Sequence, residues 1–207
     1  MTPTTLSKNP SKTVSDADIR VFLDGVIGDD RRHARLLNTF SLMEHIGSRK
    51  ILLSQGEKSG EDVLKHLAEE TRHAHFFRRA AEKTAKRKLS YADADMAAAP
   101  ASRMYFGRLD AGISRRTGPG VLAYLYVTQA IEVRAGSLYH LYESILRAAS
   151  HSLSLRGVIA EEDLHLAHME TALRGLDPQY AERTAQFVEL EAGLFAAWFK
   201  AVSRALA

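Results

Sequence analysis

The sequence predicts an all-α protein built around four long helices, and three observations support this. Apolar residues recur at helical spacing through almost the whole chain, alternating strand patterns and Asn-Gly turns are absent, and only five of 207 residues are proline. Apolar residues make up 45% of the chain, which is enough for one domain with a substantial core. We therefore expect a flexible arm over residues 1–14 and a single helical domain over residues 15–207.

The first two helices follow from their capping signals. Ser15 precedes an apolar-periodic run and is the expected N-cap of a short helix that reaches about Ile27. The first long helix is expected to begin at Asp29 or Asp30, where an acidic residue favours a helix N-terminus, and to continue to about residue 54.

The second long helix follows a break at Gly56. Ser59 is its expected N-cap, and its periodicity continues to about Lys88. Residues 89–117 contain Pro100 and an Ala-rich segment, and we predict the longest irregular stretch here, with at most a short helix around SRMYFGRL.

The remaining helices follow from glycine and serine signals. The third long helix is expected to begin after the GPG sequence at residues 118–120 and to reach about Ala149. The fourth begins near Ser150 or Ser152, and Gly175 is its expected left-handed C-cap.

The connections predict how the long helices are arranged. Those within the first and second pairs are short, whereas residues 89–117 join the pairs, which is typical of two antiparallel hairpins linked by a crossover. A fifth helix closes the chain. Its apolar stripe packs against the bundle or forms the interface of a homodimer, and comprises Phe187, Leu190, Leu194, Phe195 and Trp198.

The same motif occurs once in each hairpin. The second long helix carries EETRH at residues 69–73, and the fourth carries EEDLH at residues 161–165. In both, the second glutamate and the histidine are three residues apart and share one helix face, giving the pairs Glu70 with His73 and Glu162 with His165.

Each hairpin also carries one glutamate inside a largely apolar stretch. Glu44 precedes Glu70 by 26 residues, and Glu132 precedes Glu162 by 30. These separations place the residues at similar heights on two antiparallel helices. The chain therefore has a twofold pseudo-repeat of a lone glutamate followed by Glu-x-x-His.

This residue set matches the needs of a pair of metal ions. The chain has no cysteine, so only histidine and carboxylate ligands are available. Four carboxylates and two imidazoles suit two iron ions, and manganese or a mixed manganese–iron pair would use the same ligands. Metal would also offset the large cost of burying four carboxylates.

On these residues the sequence resembles the ferritin-like superfamily of carboxylate-bridged di-iron proteins, over about residues 29–175. Among its members it is most similar to small oxygenases: the tRNA hydroxylase, demethoxyubiquinone hydroxylase and aldehyde-deformylating oxygenase families. The resemblance implies a ferritin-like four-helix bundle and six residues that are both metal ligands and catalytic: Glu44, Glu70, His73, Glu132, Glu162 and His165.

Other residues near the motif keep alternative roles. Glu69 or Glu161 could replace its neighbour as ligand, accept a hydrogen bond from an imidazole on the opposite helix, or be solvated. We expect His66, His75 and His168 to be surface or core residues. Thr128, Ala135, Gly136 and Tyr139 either shape a site or pack the core, and Tyr139 could hydrogen-bond a ligand. Leu37, Phe40 and Leu125 are expected to line a pocket.

Three functions are compatible with this sequence. The resemblance favours an enzyme that activates O2 to oxidise an organic substrate, as an oxygenase, hydroxylase or oxidase, with an external electron donor. The alternatives are an iron-oxidising storage or peroxide-detoxifying protein, and a metal-free interaction bundle. A net charge of +3, with basic clusters at residues 83–88 and 114–116, keeps tRNA open as a partner. The absence of long apolar runs predicts no membrane span and a cytoplasmic location.

Overall fold

The computed structural model describes residues 13–55 and 60–207, which form seven α-helices and contain no strand. The all-α prediction is therefore confirmed for this part of the chain. None of the helices in these ranges combines the length and hydropathy needed to cross a membrane. In chain order the helices are α1 (Asp16–Ile27), α2 (Asp30–Gln55), α3 (Glu61–Ala85), α4 (Ala99–Thr117), α5 (Val121–Ala148), α6 (Arg156–Leu176) and α7 (Tyr180–Leu206).

Side-chain caps set the starts of α1 and α2. The Ser15 hydroxyl accepts a hydrogen bond from Asp18 N at 3.1 Å, and the Asp18 carboxylate accepts one from Ser15 N at 3.2 Å. The Asp29 carboxylate accepts from Arg32 N at 2.9 Å. These contacts satisfy N–H groups that have no partner within the helix, and they confirm both predicted starts.

Helices α2 and α3 form the first antiparallel hairpin. The Ser41 hydroxyl donates to the carbonyl of Ala74 at 2.7 Å, and a Cβ on Gly47 would lie 3.2 Å from Glu70 Oε2. Later residues of α2 thus meet earlier residues of α3. The close approach at Gly47 leaves no room for a larger side chain beside Glu70 without movement of its carboxylate.

Helices α5 and α6 form the second antiparallel hairpin. Near the end of α5, Glu143 accepts a hydrogen bond from Leu155 N at 2.6 Å, just before α6. Near the start of α5, Tyr126 donates to Asp177 at 2.6 Å, just after α6. The two helices are therefore tied together at both ends.

Several helix boundaries differ from the predicted ones. Helix α6 begins at Arg156 rather than at Ser150 or Ser152, and the N–H of Leu155, the residue before it, donates to Glu143 of α5. Gly175 is not a left-handed cap but lies inside α6. Gly56 and Ser59, the predicted break and cap, lie outside the described residues.

The two hairpins pack with α2 against α5 and α3 against α6. His33 at the start of α2 contacts Tyr142 late in α5, Glu44 contacts Tyr139, and Ile51 near the end of α2 lines one cavity with residues from early in α5. Helices α2 and α5 therefore run in opposite directions. Because α3 also opposes α2, α3 and α5 run in the same direction, and their connection must span the bundle.

The prediction that residues 89–117 are irregular is wrong for Ala99–Thr117, which form the 19-residue helix α4. A helix of this length covers about 28 Å, which is what the crossover requires. Pro100 lies in the first turn of α4, where its missing N–H leaves no hydrogen bond unmade. Proline here begins a helix instead of interrupting one.

Helix α7 packs against the bundle through its predicted apolar stripe. Phe187, Phe195 and Trp198 are buried, and the Trp198 indole donates to Ser102 of α4 at 3.0 Å. Leu190 packs against Gly112 of α4. A Cβ on Gly112 would lie only 2.7 Å from Leu190 Cδ2. Of the two alternatives for this stripe, packing against the bundle is the one observed.

A buried carboxylate joins α4, α5 and α7. Glu191 of α7 is 2% exposed and accepts from the Arg134 guanidinium of α5 through both oxygens, at 2.8–3.1 Å. The Tyr105 hydroxyl of α4 donates to the same carboxylate at 2.8 Å. Every acceptor of this buried ion therefore faces a donor.

We predict that Glu191→Ala lowers the free energy of unfolding by about 3 kcal/mol, because it leaves the partly buried Arg134 without its counter-ion. Urea unfolding at neutral pH measures this loss. Glu189→Ala, an exposed glutamate on the same helix, is the matched control and should change stability by less than about 0.5 kcal/mol. Equal effects of the two substitutions would contradict this account of the helix junction.

Candidate metal centre

Four helices bring the six predicted ligands together inside the bundle. The lone glutamates come from α2 and α5, and the two Glu-x-x-His pairs come from α3 and α6. Each side chain is at most 8% exposed, which places all six in the interior: Glu44, Glu70, His73, Glu132, Glu162 and His165.

One group of these side chains is the Glu44 cluster, made of Glu44, Glu70, His73 and Glu162. Each offers one nitrogen or oxygen atom, and these atoms all lie within 4.8 Å of one another. His73 Nδ1 is 2.9 Å from Glu162 Oε1 and 3.9 Å from Glu70 Oε1. This spacing suits a single cation.

The second group is the Glu132 cluster, made of His66, Glu70, Glu132 and His165, with the same 4.8 Å limit. His66 Nε2 is 3.4 Å from Glu70 Oε1 and 3.5 Å from Glu132 Oε1, and His165 Nδ1 is 3.7 Å from Glu70 Oε1. Glu70 belongs to both clusters, so two ions held here would be neighbours.

Glu162 also lies between the clusters. Its Oε1 faces His73, and its Oε2 is 3.5 Å from His165 Nδ1. Glu70 and Glu162, the glutamates of the two repeated motifs, are thus central, whereas Glu44 and Glu132 each belong to one cluster.

The glutamates that precede the motifs reach across to the opposite hairpin. His73 Nε2 is 2.7 Å from Glu161 Oε2, and His165 Nε2 is 2.8 Å from Glu69 Oε2. Of the alternatives left open for Glu69 and Glu161, the contact with an imidazole on the opposite helix is the one observed. Arg72, which is exposed, pairs with Glu161 at 2.7 Å.

These crossed contacts orient both imidazoles. Because Nε2 faces a carboxylate, it carries the proton of the neutral imidazole, and Nδ1 would present its lone pair to a metal ion in the cluster. The same carboxylate contact makes the imidazole more basic and thus a better metal ligand.

Unpartnered polar atoms provide a test of whether a metal fits. Buried nitrogen and oxygen atoms are normally hydrogen-bonded, and leaving one unpaired costs about 1–3 kcal/mol. Five buried atoms that face the two clusters lack a hydrogen-bond partner: His66 Nε2, Glu70 Oε1, His73 Nδ1, Glu162 Oε2 and His165 Nδ1. All five are metal-ligand atom types, so the residues fit a metal site.

The carboxylates oppose one another electrostatically. Burial and the nearby charges of Glu70 and Glu162 raise the pKa of Glu44 well above its usual value, and burial with the charge of Glu162 does the same to the pKa of Glu132. Burial and Glu162 raise the pKa of Glu70 to about 7. Although burial acts to raise it, the pKa of Glu162 falls because the Glu132 carboxyl and the imidazoles of His165 and His73 stabilise its charged form.

The three histidines respond differently to this surrounding charge. Burial opposes charging of His73, but Glu162 and the neighbouring carboxylates raise its pKa to about 10, and Glu162 with Glu69 likewise raises the pKa of His165 against the effect of burial. Burial and the nearby His165 lower the pKa of His66 to about 4.

Tyr139 fixes one carboxylate of the site. Its hydroxyl donates a short hydrogen bond to Glu44 Oε1, a contact between ligand and tyrosine that the sequence suggested. Burial and the charge of Glu44 raise the pKa of Tyr139 well above its usual value, so the hydroxyl remains a donor.

A cavity of about 420 Å³ leads from the surface to the Glu132 cluster. Its inner end is formed by His66, Glu70 and Glu132, and Lys50 and Asp110, 2.7 Å apart, also line it. Its walls are largely apolar and include Ile51, Ala123, Val127 and Ile131. Thr128, which was expected either to shape a site or to pack the core, also lines it.

Two further cavities adjoin the site. One of about 50 Å³ lies under α7 and is lined by all four glutamates of the clusters together with Phe40 and Ala135, which were predicted to lie near the site. Another of about 430 Å³ lies between α3 and α6 and contains Leu125. Leu37 is buried in the apolar core, and a Cβ on Gly136 would meet no atom within 4 Å.

His66 is the member of the two clusters that the sequence analysis did not select. His75 and His168 are exposed as expected, but His66 is 4% exposed and faces the site. The available signal was its position one helical turn before Glu70, on the same face of α3.

No protein-family model, curated protein or solved structure matches this chain. Its fold and site therefore define its class: a helical bundle with two adjoining buried histidine–carboxylate clusters that could hold metal ions.

We predict that protein stripped of metal by a chelator loses stability as pH rises from 6.5 to 8. Glu44, Glu70, Glu132 and His73 have raised pKa values, so the folded state holds protons that the unfolded chain has released. Each such proton contributes up to about 1.4 kcal/mol per pH unit. Urea unfolding at both pH values measures the fall.

Glu132→Gln is the control for this pH dependence, because glutamine has no proton to lose. Its stability should fall less steeply with pH than that of the natural chain. A stripped protein whose stability rises over this interval would contradict the assignment.

We predict that Glu161→Gln weakens metal binding about 10- to 100-fold, because the His73 imidazole loses the anionic acceptor that orients it and makes it basic. Competition with a chromophoric chelator measures the affinity. Asp163→Asn, an exposed neighbour on α6, is the matched control and should leave affinity unchanged. Equal affinities for Glu161→Gln and the natural chain would show that the crossed contact does not support a metal ligand.

Proposed function

We propose that this protein is a ferritin-like di-iron carboxylate protein that uses O2 to oxidise an organic substrate, as an oxygenase, hydroxylase or oxidase. The observation that carries the proposal is the set of unpartnered ligand atoms in two buried clusters that share Glu70. The bundle supports it, since two antiparallel hairpins joined by a spanning crossover are an arrangement of ferritin-like folds.

The contacts support the following ligand assignment. Glu70 and Glu162 lie between the clusters and would serve both ions, whereas Glu44 and Glu132 would each hold one. His73 and His165 would bind through Nδ1. Two iron ions held here would supply the redox chemistry that activates O2, and manganese or a mixed pair would use the same donors.

The surrounding residues keep this donor set in place. Tyr139 holds Glu44, and Glu161 and Glu69 hold His73 and His165 in one tautomer. Such contacts position ligands before metal binds, which reduces the reorganisation needed during a reaction.

The 420 Å³ cavity supports an enzyme rather than a storage protein. Its size lies within the range of small-molecule sites, its walls are mostly apolar, and its inner end is formed by ligand residues. An apolar organic molecule would be held beside the Glu132 cluster with little water around it. Electrons would come from an external donor, because the chain has no cysteine for a redox centre of its own.

We predict two irons per chain in protein produced with iron, measured by mass spectrometry. Glu132→Ala with Glu162→Ala should abolish this content, because it removes ligands from both clusters. Glu182→Ala with Glu189→Ala, two exposed sites on α7, is the matched control and should retain both ions. If no metal binds after anaerobic Fe(II) loading, the proposal is wrong, and the metal-free interaction bundle is the function that remains.

O2 consumption then separates the two metal-dependent functions. An oxygenase or oxidase should couple O2 uptake to a reductant and an organic substrate while keeping two irons per chain. Uptake of many irons per chain as Fe(III) would instead favour iron storage.

A further inference from the structure

His66 is placed like a ligand although it lies outside both Glu-x-x-His motifs. It is 4% exposed, and its Nε2 points between Glu70 and Glu132 without a hydrogen-bond partner. An ordinary core histidine would use this nitrogen in a hydrogen bond, because leaving it unpaired is costly.

We propose that His66 is a seventh metal ligand, so that the two metal positions are chemically unequal. The Glu132 position would then have two imidazoles, from His66 and His165, and the Glu44 position one, from His73. This inference rests on the proposed di-metal function and adds a ligand that the six-residue pattern lacks.

The distances between donor atoms agree with a shared ion. Nitrogen and oxygen ligands lie about 2.0–2.2 Å from a first-row metal, and so about 3–4 Å from one another. His66 Nε2 is 3.4 Å from Glu70 Oε1 and 3.5 Å from Glu132 Oε1. The four donor atoms of this cluster all lie within 4.8 Å of one another, which is compact enough for one shared ion.

Tyr124 supplies the contact that orients the ring. His66 Nδ1 is 3.3 Å from the Tyr124 hydroxyl. When Nδ1 carries the proton and donates it to this oxygen, Nε2 keeps its lone pair directed at Glu70 and Glu132. Metal-bound histidines usually have such a partner on their second nitrogen.

The pseudo-repeat provides an internal comparison. His66 lies four residues before Glu70, and the matching position before Glu162 is Val158. Val158 is 5% exposed and belongs to the apolar core. The second half of the repeat therefore lacks a donor here, and the asymmetry is encoded by one pair of residues.

The metal position with two imidazoles also lies beside the 420 Å³ cavity. His66, Glu70 and Glu132 line the inner end of the 420 Å³ cavity. A molecule in this cavity would therefore approach the ion bound by His66 and His165.

Cobalt titration tests the proposal without reference to activity. We expect the natural chain to bind two Co(II) ions. His66→Leu should bind one ion with natural affinity and the other at least about ten-fold more weakly. Loss of a residue that only hydrogen-bonds a metal ligand already lowers metal affinity by about this factor. His75→Leu, an exposed histidine on the same helix, is the matched control and should match the natural chain.

Mössbauer spectra of protein loaded with ⁵⁷Fe(II) give a second measurement. The natural chain should show two doublets of equal area, and in His66→Gln one doublet should change while the other stays. Free imidazole should restore second-ion affinity to His66→Ala, which mere structural damage would not allow. If circular dichroism shows that His66→Leu does not fold, the cobalt titration is carried out on His66→Gln and His66→Ala instead.

The outcomes separate the two proposals. Two ions with unchanged affinities and spectra in the His66 variants would overturn the seventh ligand and leave the proposed function intact. Failure of the natural chain to bind two ions would overturn the proposed function itself.

Discussion

The burial of four glutamates at one level of a helical bundle is the constraint on which the rest of this structure depends. Moving each ionised carboxylate out of water costs several kcal/mol, and the charges also repel one another. The raised pKa values of Glu44, Glu70 and Glu132 are the direct result. Protons relieve part of this cost, but they leave five ligand atoms without partners. Divalent cations would reduce the repulsion between the carboxylates and would also coordinate the unpartnered atoms. The same geometry that destabilises the metal-free fold therefore supports a metal-dependent function.

The crossed contacts connect this constraint to the bundle. Glu161 of α6 holds His73 of α3, and Glu69 of α3 holds His165 of α6, so each hairpin orients a ligand that belongs to the other. Together with the pair between Arg72 and Glu161, these polar contacts tie α3 to α6. A shift of one helix along the other would break both contacts together. The site and the packing of the hairpins are, for this reason, one structural unit.

Much of this arrangement could be predicted from the sequence, and the exceptions have physical causes. The long helices and the six side chains that meet in the bundle followed from apolar periodicity and from a spacing that occurs twice. Helix α4 was not predicted because proline usually interrupts a helix. Pro100, however, lies in the first turn, where the missing N–H of proline removes no hydrogen bond. The segment just before α6 is held by Glu143 of α5, a contact with another helix that no local signal reveals. His66 was missed because a single histidine one turn before a glutamate is common, and only three-dimensional contacts show that its Nε2 has no partner.

The departures from the twofold repeat then indicate how such a site could be used. A fully symmetric pair of hairpins would expose both clusters equally. Here α7 covers one side of the site, and the cavity beneath it, lined by Glu44, Glu132 and Trp198, measures only about 50 Å³. The cavity lined by His66, Glu70 and Glu132, but not by Glu44, measures about 420 Å³. His66 lies where the second half of the repeat has the apolar Val158, so the additional imidazole faces the larger of these two cavities. Ligand asymmetry and access thus coincide, so a substrate and the more nitrogen-rich metal position would meet on the same side of the bundle.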